Sequence, residues 1–272
     1  MGLLKKEKYL KYRPKKFLGQ NFLVDDNIAK KIIRQLGITG DDIVIEIGPG
    51  HGALTKHLVN MTNNYFAVEI DKEKCDELYE KFSGIKKIFN KDFLKFDFEN
   101  DLKLKPSKKI KIIGNIPYNL TTEILFKIFE NHKIFETAIL TIQKEVAERI
   151  TAKPKSKEYG ILSVQSCIYS VPKMLFTIPA TAFFPKPKVN SAVLKLELKE
   201  KPEIKNTEIF KLIVRESFGQ RRKMMRNSLE KCFESYNLSF TDFDFDFTRR
   251  AETVSPEEYI VLSNRVYNLI QK

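Results

Sequence analysis

The chain has 272 residues, 42% of them hydrophobic, which supports a substantial core and excludes a wholly disordered chain. Its 48 Lys and Arg outnumber its 35 Asp and Glu, a net charge of +13 that implies an anionic partner, either nucleic acid or a membrane surface. Cys75, Cys167 and Cys232 are too scattered for a disulfide framework or a Cys-x-x-Cys metal site, and no apolar run reaches the ~18 residues of a membrane span. A cytoplasmic protein with no metal and no membrane role is expected.

The first 20 residues form a basic tail, with Lys5, Lys6, Lys8, Lys11, Arg13, Lys15 and Lys16 against Glu7 alone. Asp25-Asp26 then suits the cap of a helix whose Ile28, Ile32, Ile33 and Leu36 share one face and which Gly37 ends. Five strand-like runs follow, at 43–47, 65–70, 87–89, 110–113 and 138–142, with amphipathic stretches between most of them. Strand alternating with helix is the pattern of a mainly parallel sheet covered on both faces.

From Cys167 to Leu198 two β-rich stretches flank a proline-rich turn, 179–187. In the last of them Ala192, Leu194, Leu196 and Leu198 alternate with Val193, Lys195 and Glu197, predicting one apolar and one polar face. A charged linker at 199–202 leads into a helical region, where Phe210, Ile213, Val214 and Phe218 form a stripe and Ser255-Pro256-Glu257-Glu258 opens a helix. A second basic cluster, Arg221, Arg222, Lys223 and Arg226, falls there and is a candidate RNA contact.

Two motifs carry chemistry. Glu46-Ile47-Gly48-Pro49-Gly50-His51-Gly52 stands between the first buried run and a helix-like stretch at 53–59, so Gly48 and Gly50 let the backbone approach a ligand closely. The Gly-x-Gly-x-Gly spacing differs from the dinucleotide fingerprint and suits a cofactor that lacks a pyrophosphate. Glu69 and Asp92 end the next two strands, placed to accept from ribose hydroxyls and from an adenine amine respectively.

The second motif is Asn115-Ile116-Pro117-Tyr118, directly after the apolar run 110–113 and Gly114. An adenine amine is a poor nucleophile because its lone pair is delocalised into the ring. The Asn115 side-chain oxygen and the Ile116 carbonyl can accept the amine hydrogens and aim the lone pair at a methyl sulfonium, while Pro117 fixes the turn and Tyr118 stacks on the base. The base must be unpaired or flipped, and Phe183 is the candidate for a second aromatic wall.

These motifs, with Leu18-Gly19-Gln20-Asn21-Phe22-Leu23, Gln143-Lys144-Glu145-Val146, the stretch from Phe183 to Ser191 and Arg249-Arg250-Ala251-Glu252, resemble the ribosomal RNA adenine dimethyltransferases over nearly the whole chain. The resemblance implies an α/β Rossmann-like class I methyltransferase domain at 21–200 with a mainly parallel seven-stranded sheet. A small all-helical, RNA-contacting domain at 203–272 completes the implied chain. It adds Asn21 and Leu23 to Gly48, Glu69, Asp92 and Asn115 as contacts of S-adenosylmethionine, which leaves as S-adenosylhomocysteine. It also implies that a monomer methylates two adjacent adenosines near the 3′ end of 16S rRNA, in the small ribosomal subunit or its precursor. Rival readings are a 23S rRNA methyltransferase of the antibiotic-resistance type, which shares Asn-Ile-Pro-Tyr, and a non-catalytic ribosome assembly factor.

Overall fold

The computed structural model describes residues 19–103, 109–200 and 202–271, so the basic side chains of the N-terminal tail lie outside the described residues. Seven strands form one sheet in the order β4-β3-β2-β5-β6-β9-β7: β2 Ile43–Ile47, β3 Asn64–Glu69, β4 Lys87–Asn90, β5 Ile110–Asn115, β6 Phe135–Gln143, β7 Ser170–Ile178 and β9 Ser191–Leu198. β2 lies parallel to both β3 and β5, with Ile45 opposite Phe66 on one side and Ile112 on the other, and every residue of β2 is buried. A strand covered on both faces explains the unbroken apolar run. β4 and β6 extend the parallel set, and β9 runs antiparallel to β6, from Gln143 opposite Ser191 to Thr137 opposite Glu197.

Helices join the parallel strands as the sequence pattern predicts. In α1, Asp26–Arg34, the Asp25 carboxylate accepts from the backbone N–H groups of Asn27 and Ile28 at 2.9 and 3.1 Å, and Ala29, Ile32 and Ile33 face the core. α2, a short Thr55–Leu58, α3 Lys72–Lys81 and α4 Thr121–Glu130 make the β2–β3, β3–β4 and β5–β6 crossovers, while α1 leads into β2.

Two departures have physical causes. Val193, expected on a polar face, is fully buried beside Ala192, because β9 stands inside the sheet between β6 and β7 and solvent reaches it only at Lys195, Glu197 and Leu198 toward its end. The β-rich stretch expected from Cys167 begins at Ser170, since residues after Gly160 form a helix, Ile161–Tyr169. A two-stranded ribbon escaped the sequence reading altogether: β1 Phe22–Leu23 pairs antiparallel with β8 Phe183–Phe184.

The chain divides into two compact units, one running to Ala147 and including Lys173–Leu198, the other made of Glu148–Pro172 and the residues from Lys199 on. The helical unit thus includes a segment that the sequence reading left within 21–200. With α5 Lys144–Ile150 and α6 Ile161–Tyr169 numbered in chain order, its C-terminal helices are α7 Thr207–Gly219, α8 Met225–Ser235 and α9 Pro256–Ile270. Asn206 caps α7, and Ser255 with Glu258 forms the capping box expected for α9. Tyr159 is buried in this unit and donates to the Val254 carbonyl at 2.9 Å, while Phe233, Phe240, Phe243 and Phe247 pack ring against ring.

Candidate active site

The glycine loop, the residues that follow β3 and β4, and the Asn115–Tyr118 turn meet at the C-terminal edge of the parallel strands, around one cleft. Asn21, Leu23, Gly48, Gly50, Glu69, Asp92, Asn115, Ile116, Pro117 and Tyr118 all line it. The glycine loop leaves β2 with Gly48 at φ 59° and Gly50 at φ 55°, conformations that side-chain-bearing residues rarely adopt. A Cβ on Gly48 would meet nothing within 4 Å, so the bare backbone there fronts open space. A Cβ on Gly50 would stand 3.0 Å from the Phe22 ring, which therefore rests directly on the loop.

Glu69 closes one wall. It is 4% exposed, and its two oxygens accept from the backbone N–H groups of Gly50 at 3.1 Å and Asp71 at 2.9 Å. Burial raises its pKa, opposed by those two donors. The wall continues with Asp92, whose carboxylate accepts from the Leu94 N–H at 2.9 Å and caps a short turn that carries Phe93 and Leu94 to the cleft. Asp92 is therefore both a cap and a cleft-lining carboxylate. Carboxylates beside an apolar slot and bare glycine backbone fit a ligand with a diol and a flat heterocycle, which is the donor and acceptor pattern of an adenosyl group.

Glu46 was noticed in the sequence only as the residue before the loop. It is 2% exposed and accepts from the hydroxyls of Tyr65 at 2.6 Å and Thr55 at 2.9 Å. Burial pushes its pKa up to about 7, against those two hydrogen bonds and with the nearby Glu69 adding to the rise. The unfolded chain gives up this proton near 4.5 and the folded chain near 7, so the contribution to stability is intact below 4.5 and lost as pH rises to about 7. Glu46→Gln should remove this pH dependence. Urea titrations are expected to show the variant gaining on the wild type by on the order of 3 kcal/mol between pH 5 and pH 8. Parallel pH profiles for the two proteins would refute it.

The acceptor motif faces this wall from the end of β5. Gly114 lies against β2, where a Cβ would come within 2.8 Å of the Ile47 carbonyl oxygen, so only glycine lets β5 close up at this point. The Asn115 side-chain N–H₂ donates to the Asn21 carbonyl at 2.7 Å, which leaves its oxygen as the acceptor. Ile116 is held by its N–H to the Thr141 carbonyl at 3.3 Å, and Pro117 begins a single turn, Tyr118–Leu120. Tyr118 is the aromatic residue that this turn brings to the cleft, and burial raises the pKa of its hydroxyl.

Phe183 stands outside the residues that line the cleft: it is 3% exposed and packs in the core with Leu23, Ile178 and Ala182, the β1–β8 register setting it opposite Leu23. The Arg221 guanidinium donates to Glu252 at 2.9 Å and to the Ser156 carbonyl at 3.1 Å, a tie within the helical unit, whereas Arg222, Lys223 and Arg226 are exposed. Phe22 and His51 line the cleft without having been singled out, their rings edge to face at 4.4 Å. Neither had a distinguishing signal beyond its neighbours in the motifs.

A parallel sheet of this order, closed by an antiparallel β9 and carrying a glycine loop and an Asn-Ile-Pro-Tyr turn on one edge, defines a class I methyltransferase. Solved structures agree: a dimethyladenosine transferase from Plasmodium falciparum superposes with a TM-score of 0.72 at 23% identity, covering 89% of this chain and 95% of that one. The 23S rRNA methyltransferase ErmE gives 0.63 at 25% identity, covering 93% of this chain and 100% of that one. Residues 12–268 match the ribosomal RNA adenine dimethylase family, and the chain belongs to it. Among its relatives are proteins named ribosomal RNA small subunit methyltransferase A. That from Francisella tularensis subsp. novicida is 43% identical over 258 residues, which is 93% of this chain and 98% of the relative; that from subsp. tularensis is 42% identical over the same shares.

Proposed function

We propose that this protein transfers methyl groups from S-adenosylmethionine to the exocyclic amines of two adjacent adenosines in the 3′-terminal hairpin of 16S rRNA, in the small subunit or its precursor. The observation that carries this reading is the orientation of Asn115. Its N–H₂ is spent on the Asn21 carbonyl, so its oxygen accepts from an amine placed at the cleft. The cofactor supplies an electrophilic methyl group on a sulfonium and departs as S-adenosylhomocysteine. Asn21, Leu23, Gly48, Gly50, Glu69 and Asp92 would hold it, with Glu69 accepting from the ribose hydroxyls.

Asn115 and the Ile116 carbonyl accept the two amine hydrogens, which localises the nitrogen lone pair and aims it. Tyr118 stacks on the base that carries the amine. As the N–C bond forms, the amine nitrogen becomes acidic and its proton passes to water, so no side chain with a tuned pKa is required. Identity of 43% to a small-subunit enzyme, against 25% to a 23S enzyme, favours the 16S substrate. Incubating the protein with methyl-labelled cofactor and small subunits lacking the modification should place the label in dimethyladenosine of 16S rRNA. Label appearing only in large-subunit RNA would overturn the substrate assignment.

A further inference from the structure

Ser191 closes the motif that begins at Phe183, and nothing in the reaction just described uses it. It is fully buried at the start of β9, opposite Gln143 of β6, and so is fixed by a strand in the interior of the sheet. The preceding residue anchors the corner further: the Asn190 carbonyl accepts from the Lys144 N–H at 3.0 Å, and its side-chain oxygen accepts from the Ala180 N–H at 3.1 Å. The Ser191 hydroxyl lies 2.7 Å from the hydroxyl of Tyr118, across 73 positions of sequence.

Tyr118 is held less firmly by its own backbone. It opens one 3₁₀ turn behind Pro117, which has no N–H to give, and its carbonyl accepts from the Thr121 hydroxyl at 3.1 Å. An aromatic ring on such a turn has two free side-chain torsions. A hydrogen bond at the far tip of the ring fixes the first of them, because the hydroxyl oxygen lies on the axis of the second, and so sets where the ring stands at the cleft. The pairing serves both partners, because a buried hydroxyl left without a partner is destabilising.

We propose that Ser191 is a positioning residue for methyl transfer, setting the place of the Tyr118 ring through its hydroxyl so that the target base stacks with its amine against Asn115. The inference rests on the reading of Tyr118 as the stacking residue. It also gives the Tyr118 hydroxyl a tether rather than a contact with substrate. Asn115 and Tyr118 are then secured by two separate ties, one to the Asn21 carbonyl and one to β9.

The test is a double-mutant cycle of Ser191→Ala and Tyr118→Phe, assayed for turnover on unmethylated small subunits, with S-adenosylhomocysteine affinity and thermal stability measured on each protein. Each single variant should lose roughly tenfold in turnover with cofactor affinity within about twofold, and the double variant should be no slower than either single one. Losses that multiply in the double variant would overturn the proposal, since a merely structural Ser191 would act whether or not the tyrosine hydroxyl is present. Should Ser191→Ala fail to fold, Tyr118→Phe decides alone, and wild-type turnover from it is the overturning result. Tyr118→Ala separates the two readings. If it is inactive while Ser191→Ala turns over normally, only the positioning role falls; if it is fully active, the stacking assignment falls and takes the inference with it.

Discussion

Asn115→Ala is expected to lower methyl transfer at least about a thousandfold while the protein still binds its RNA, because in the proposed mechanism its side-chain oxygen is one of two preorganised acceptors for the amine hydrogens, with the Ile116 carbonyl. Its geometry is set from two directions. β5 is buried between β2 and β6 and delivers the residue to the edge of the sheet, and the Asn21 carbonyl takes its N–H₂ at 2.7 Å. Alanine removes the acceptor and leaves the carbonyl without its donor. Asn115→Asp is the more telling change, since it keeps an oxygen but replaces the donor by a negative charge facing the Asn21 carbonyl. If orientation matters as much as acceptance, the aspartate variant is as slow as the alanine variant. Single-turnover assays with labelled cofactor measure both, and activity within tenfold of wild type for Asn115→Ala would remove this side chain from the acceptor role.

Most of the sheet and the cleft were legible because parallel strands announce themselves as short apolar runs and because their loops collect at one edge. Ile43 to Ile47 leads to the glycine loop, and Ile110 to Ile113 leads to Asn115. What could not be read depended on partners distant in sequence. β1 and β8 are two residues each, too short for any periodicity, and only their pairing sets Phe183 opposite Leu23 in the core. In the same way, charge made Arg221 conspicuous, but nothing near it in sequence signals Glu252, 31 positions away, which holds it. Gly114 illustrates a third case: it was visible only as the residue before the motif, and its necessity follows from the Ile47 carbonyl in the adjoining strand.

Glu69→Ala is expected to weaken cofactor affinity about a hundredfold, close to 2.8 kcal/mol, with the sheet intact. The carboxylate has two tasks. Within the protein it accepts from Gly50 and Asp71, drawing the glycine loop towards the end of β3 and holding Gly50 at a positive φ under the Phe22 ring. In the proposed reading its remaining lone pairs accept from the ribose diol. Alanine loses the ribose acceptor and leaves two amides in a buried setting without their carboxylate, so both effects fall on binding. The strand itself should tolerate the change, because Glu69 is the last residue of β3 and its main chain still pairs with β4. Glu69→Asp discriminates between the two tasks: one methylene shorter, it cannot reach both amides and the diol together, and its affinity should fall nearly as far as that of alanine. Calorimetric titration with S-adenosylhomocysteine reads both variants, and a loss below threefold for Glu69→Ala would place the ribose elsewhere in the cleft.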